Sequence, residues 1–193
     1  MFQGRFGASA NAAVVAPIRP PWSRQETQFI DACTQCDKCL SACDEGIVIR
    51  GAGGYPEIDF QRGECTFCGD CAKVCTPGAI FFQKCDQDLP QQLPPALPSA
   101  LPWSLDAKIS SACLSAKAIT CRVCGDRCDA RAIRFQLSVG GIADPIIDQT
   151  ACTGCGACVA PCPVNAVVLI HSQVAPRPHG VVEVIHSQME ELS

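Results

Sequence analysis

Sixteen of the cysteines fall into four sets of four, and these sets constrain the chain more than any other feature. Cys33, Cys36, Cys39 and Cys43 are separated by two, two and three residues. Cys65, Cys68, Cys71 and Cys75 repeat that pattern, as do Cys152, Cys155, Cys158 and Cys162, which Pro163 follows. The remaining set is Cys113, Cys121, Cys124 and Cys128; its first gap is stretched to seven residues and the other two are kept. Along a helix, residues three apart advance by about 300°. The first three thiols of a run therefore do not share one helical face, and meet only where the chain winds around something. A single zinc ion needs two close pairs of ligands, so the third thiol of each run would be superfluous.

Disulfides fit poorly. The full count is 17, which is odd, and the cysteines are bunched where a disulfide scaffold scatters them. The run C-x2-C-x2-C-x3-C, best with a proline after it, is the bacterial ferredoxin pattern for [4Fe–4S] clusters. Three intact copies and one variant imply up to four clusters. In two-cluster ferredoxins the fourth cysteine of each run ligates the other cluster. On that pattern Cys75 completes the set of Cys33, Cys36 and Cys39, and Cys43 completes that of Cys65, Cys68 and Cys71. Likewise Cys162 joins Cys113, Cys121 and Cys124, and Cys128 joins Cys152, Cys155 and Cys158. Ligation within each run is the alternative, and both partitions give the same sixteen metal ligands. Cys85 lies outside every run and reads as a free thiol.

The chain repeats in halves. Ile47–Ile49 and Ile58–Phe60 flank a glycine-rich turn and read as a hairpin; two short strands around Gly140 and Gly141 match them in the second half. AIFF (79–82) follows the second run, AVVLI (166–170) follows the fourth, and WSLDAKI (103–109) supplies a strand before the third. Each half thus reads β-α-β-β-α-β, with a cysteine loop before each helix. The expected fold class is α+β: two tandem bacterial two-cluster ferredoxin-like modules of short strands and helices. The expected division is an N-terminal extension (1–26), a first module (27–85), a Pro-rich linker (86–102), a second module (103–172) and a C-terminal tail (173–193). The linker favours extended polyproline II. The histidine-containing tail reads as a solvated extension with a short strand at VVEVI.

Modules this small rarely stabilise themselves with a core alone, so bound clusters are expected to knit each half together, and metal loss to unfold it. The formal charge is −4, without a block of basic residues, which disfavours nucleic acid and anionic membranes. No apolar run reaches the roughly eighteen residues of a membrane span. The N-terminal MFQGRFGASANAAVVAPIRPP carries one arginine before a short, broken apolar stretch, so no signal peptide is expected. Those readings suggest a soluble, cytoplasmic chain with reduced thiols. No nucleophile–base pair, phosphate loop or second metal motif stands out, and no catalytic residue is assigned. Asp44, Asp70, Asp126 and Asp129 read as turn and helix-start residues. Lys38, Arg122 and Arg127 either offset cluster charge or are simply solvated.

Four stretches carry a resemblance: IRPPWS (18–23), RGAGGYP (50–56), ACLSAKAITCRVCGDRC (112–128) and CTGCGACVAPCPVNAV (152–167). Together they resemble the NapF family, the ferredoxin-type accessory proteins of periplasmic nitrate reductase systems, over roughly 18–85 and 103–168. The resemblance implies a cytoplasmic protein with several [4Fe–4S] clusters. It also implies a partner, the precursor of the molybdenum-containing catalytic subunit of periplasmic nitrate reductase. The implied role is electron supply to that subunit, or help in assembling its iron–sulfur centre before export. Cluster binding would fall to the sixteen cysteines, with Cys113 set apart by its stretched gap. A general soluble electron carrier serving several redox partner proteins is the alternative reading, and a redox or oxygen sensor a third.

Overall fold

A computed structural model of the chain describes residues 16–81, 102–137 and 143–172. Cys85, all but the end of the Pro-rich linker, and the tail lie outside these residues. Helix α1 (Glu26–Ala32) precedes the first cysteine run, where the β-α-β-β-α-β reading expected a strand, and is anchored by the fully buried Phe29. The other helices are single turns: α2 (Lys38–Ser41), α3 (Asp70–Lys73) and α4 (Val123–Asp126). Each contains the third cysteine of its run. Helices this short have no stability of their own and exist where tertiary contacts hold them. Asp70 opens α3 and pairs with Lys73 at 2.7 Å, as expected of a helix-start residue; Asp126 instead closes α4.

The expected helix after the fourth run is absent, and residues 157–161 only turn. The reason is one residue. In the other runs the i→i+4 bond that closes the turn is donated by Ala42 to Lys38, Val74 to Asp70 and Arg127 to Val123. Pro161 stands at that position in the fourth run and has no N–H to donate.

Both expected hairpins form. Strand β1 (Val48–Arg50) pairs antiparallel with β2 (Pro56–Ile58), Val48 facing Ile58, across the Gly51–Gly54 turn. Strands β4 (Ile133–Leu137) and β5 (Ala143–Ile147) form the second hairpin, Ile133 facing Ile147. An outer antiparallel pair joins β3 (Leu105–Ile109) to β6 (Val167–His171), Leu105 facing His171. Alternate residues of this pair, Leu105 and Ala107 with Val167 and Leu169, point into the core. In the first half the expected AIFF strand shrinks to one bridge between Ser23 and Ile80. Pro20 and Pro21 precede Ser23 and cannot extend a ladder.

The halves share a core. Ile47, Val48, Ile58 and Phe60 of the first pack in one cluster with Leu105, Ala107, Ile133, Val159, Val167 and Leu169 of the second. Phe29, Ala79 and Ile80 make a smaller core beneath the first run. Residues 17–24 form a strap over both halves. Ile18 C=O accepts from Ile58 N–H at 2.8 Å, and Trp22 N–H donates to Pro102 C=O at 2.6 Å. The ring of His171 meets Pro17 C=O at 3.2 Å.

Two of the resemblance motifs meet here. Arg19 of IRPPWS lies over the rings of Phe29 (5.1 Å) and Tyr55 (5.7 Å), the latter from RGAGGYP. Its guanidinium donates to both carboxylate oxygens of Glu26, at 2.6 and 3.0 Å, and to Pro56 C=O at 3.0 Å.

Candidate metal centres

Each intact run winds by the same device. The residues immediately before and after its second cysteine are left-handed: Gln35 and Asp37 (φ 54° and 59°), Phe67 and Gly69 (56° and 78°), Gly154 and Gly156 (72° and 84°). This pair of reversals curls the loop so that three thiols spaced three apart turn inward. For residues other than glycine the conformation costs roughly 1–2 kcal/mol each, and Gln35, Asp37 and Phe67 accept it. The stretched third run lacks the pair. Arg122, after Cys121, has φ −131° and leads directly into α4. Its extra residues form a 3-10 turn (Ser115–Lys117) ending in left-handed Ala118, and the buried Ser115 hydroxyl donates to Cys121 C=O at 2.6 Å.

The thiols gather across runs. One cavity is lined by Cys33, Cys36, Cys39 and Cys75, walled by Phe29, Leu40, Pro77 and Ile80. A second is lined by Cys43, Cys65, Cys68 and Cys71, with Trp22, Ile47 and Val48 around them. Each cavity thus takes three thiols from one run and the fourth from the other, the exchanged arrangement. In the second half Cys152 has Cys155 and Cys128 as neighbours, and Cys124 has Cys113 and Cys121. Cys113 therefore stays beside its run despite the stretched gap. Cys162 accepts a hydrogen bond from Ala166 N–H at 3.2 Å. All sixteen are free of disulfides. Among the described residues no three His, Cys, Asp or Glu side chains converge closely enough for one metal ion.

Burial pushes the thiols of Cys71 and Cys158 up to about 12, and neighbouring cysteines add to it. Cys39, Cys65 and Cys124 rise to about 11 for the same leading reason. Exposed Cys36 moves down, because Lys38 N–H and then Thr34 stabilise its thiolate. Clustered, buried thiols of this kind carry charge only when a cationic centre neutralises them, and soft sulfur donors select iron–sulfur centres, zinc or copper(I). Backbone N–H groups point at the sulfurs. Phe67 donates to Cys65 (3.4 Å), Ile80 to Cys75 (3.3 Å) and Ala132 to Cys128 (3.3 Å). Such bonds raise the potential of a bound cluster. The donor set fits one.

Comparison with known proteins agrees. Residues 32–80 match a family model described as a 4Fe-4S dicluster domain, and 117–166 and 144–190 match two more with that description. The ferredoxin-type protein NapF of Escherichia coli strain K12 is 39% identical over 164 residues, covering 85% of this chain and 88% of its own. That of Haemophilus influenzae is 46% identical over 152 residues, 79% and 78% respectively. The chain belongs to the NapF family. This NapF-family chain is therefore a ferredoxin-type protein of tandem dicluster domains, with room for up to four [4Fe–4S] clusters. It is also similar to the methylamine utilization ferredoxin-type protein MauM of Methylorubrum extorquens, 29% identical over 174 residues, 83% of this chain and 74% of that one. No helix among the described residues is long and apolar enough to cross a membrane.

Several residues that shape the centres escaped the sequence reading. Gln35, Asp37 and Phe67 have no side-chain feature that announces a left-handed backbone; only Gly69 of the second run and the two glycines of the fourth advertise one. Nothing in the sequence sets Ser115 apart from the other serines of the chain. Arg122, read as an offsetting or solvated charge, stacks 4.9 Å over the Phe135 ring.

Proposed function

We propose that this protein carries single electrons on four [4Fe–4S] clusters in the cytoplasm. Its partner is the precursor of the periplasmic nitrate reductase catalytic subunit. It supplies electrons to that subunit, or helps assemble the subunit's iron–sulfur centre, before export. The observation that carries the electron-transfer reading is the pair of cavities in which thiols of two different runs face one space. We assign the ligands as Cys33, Cys36, Cys39 and Cys75; Cys43, Cys65, Cys68 and Cys71; Cys113, Cys121, Cys124 and Cys162; and Cys128, Cys152, Cys155 and Cys158. The two modules span 27–85 and 103–172. A [4Fe–4S] cluster, once bound, takes up and returns one electron with little rearrangement. The chain's own part is to present four thiolates from two directions, aim N–H groups at the sulfurs and keep water from one side.

Membership of the NapF family, at 39–46% identity to two NapF proteins, supports this choice of partner. Anaerobically purified protein should contain about sixteen iron atoms per chain. In pull-downs it should retain the unexported catalytic subunit and release the exported, mature one; preference for the mature form defeats the maturation role. The second reading, a general electron carrier, is favoured by the likeness to MauM, a ferredoxin-type protein of a different system. It predicts turnover with several unrelated acceptors.

A further inference from the structure

The second and fourth cysteine runs, 87 positions apart at corresponding residues of the sequence, abut in space. Cys65 N–H donates to Cys155 C=O at 2.8 Å. One hydrogen bond thus joins the backbones of two residues assigned to different clusters in different halves. The contact is built rather than incidental. The buried Phe60 ring lies against Gly156, and a β-carbon there would overlap it. Trp103 packs edge-on against both Phe60 and Phe67, at 5.7 Å each, and its indole N–H donates to Thr153 C=O at 3.3 Å. A β-carbon on Gly154 would come within 2.9 Å of that indole nitrogen. Both glycines of the fourth run therefore admit aromatic rings, Gly156 that of Phe60 from before the second run and Gly154 that of Trp103 from before β3.

We propose that this seam is an electron-transfer junction, so that the four centres form one path through both halves instead of two separate pairs. The inference rests on the cluster assignment above. The order along the path is Cys33/36/39/75, Cys43/65/68/71, Cys128/152/155/158, Cys113/121/124/162. The first and second sites adjoin because Cys39 packs against the core cluster that holds Cys71, and the last two because Cys124 and Cys158 are buried in one cluster. Each step moves one electron: the site that gives it is oxidised by one, the site that receives it is reduced by one. No bond breaks and no proton transfers.

The test removes the outer sites. A Cys36→Ser/Cys121→Ser double variant, purified anaerobically, should keep about eight iron atoms. Reduced with excess dithionite, it should show an EPR envelope split and broadened by interaction of its two remaining spins. Two sharp, non-interacting signals at the same iron content overturn the junction. Should the variant lose more iron than that, the iron-loaded wild type decides. Mass-spectrometric hydrogen exchange of the peptide containing Cys65 should show its amide slowed at least tenfold relative to the unfolded chain. Exchange at the unfolded rate overturns the proposal. Wild type that lacks iron altogether defeats the cluster assignment itself, and with it the path.

Discussion

Gly156 and Gln35 occupy the same backbone conformation for different reasons. Gln35 tolerates φ 54° and uses its side chain to donate to Gly53 C=O at 3.1 Å. Gly156, at φ 84°, has no room for any side chain because Phe60 fills the space. Gly156→Ala combines backbone strain with overlap on a buried ring and should cost about 1–3 kcal/mol. Anaerobic thermal unfolding would read this as a lowered Tm; an unchanged Tm would mean that the ring is not seated there. A second prediction concerns pH. The Arg19 hydrogen bond, opposed by burial and aided by charge, holds the Glu26 carboxyl below the ordinary carboxylate range. A carboxyl with a lower pKa folded than unfolded contributes stability above the unfolded value, about 4.3 for Glu, and loses it as pH falls through the folded value. Glu26 is half exposed, so the contribution is under about 1 kcal/mol. The stability gap between wild type and Glu26→Gln should be present at pH 7, still present at pH 5, and close below about 4.3. At this scale the sequence shows the thiols plainly. It shows left-handed positions only where glycine marks them, since backbone conformation at Gln35 or Phe67 is imposed by the winding and not by the side chain.

Among the elements, the stretched third run is where local design departs most from its siblings. Its loop forgoes the paired left-handed residues and is instead tied by Ser115 to the backbone of Cys121. Ser115→Ala leaves that carbonyl without its partner in a buried setting and should cost about 1–3 kcal/mol. The loss should be local: iron should leave one site of the four sooner under a chelator, with the other three keeping their wild-type rates. Uniform loss from all four would show that the serine does not act on its own loop. The hairpins were legible because glycine-rich turns between short β-branched runs have few other folds open to them. Of the four short helices expected at the runs, three form and one does not. Alternation of cysteine and small residues gives no 3.6-residue signal, so their lengths were set by which residue donates the closing hydrogen bond. Pro161 erases the last of them, and that was visible in the sequence once the closing position is known.

Across the whole molecule, the common core decides how the halves answer to metal loss. Ile47 and Phe60 pack in the same cluster as Leu105 and Val167, so neither half keeps its apolar face covered if the other opens. The expectation that each half unfolds by itself gives way to a joint one. Removal of the metal by oxidation and chelation should strip hydrogen-exchange protection from the β1–β2 and β4–β5 hairpins in a single transition. Survival of one hairpin while the other exchanges freely would show independent modules. Repeats and a proline-rich spacer announce two units, but they carry no information on whether the units fold against each other; that depends on Phe60, Trp103 and the strap, whose contacts lie far apart in the chain.

The strap has a consequence for biosynthesis. Pro17 is made before the rest of the described chain, yet the histidine ring that meets it is 154 positions downstream. A nascent chain halted before that point would have its leading segment in place over the first half and untethered at its far end. Closure of the strap onto the second half therefore waits for the last described strand, β6.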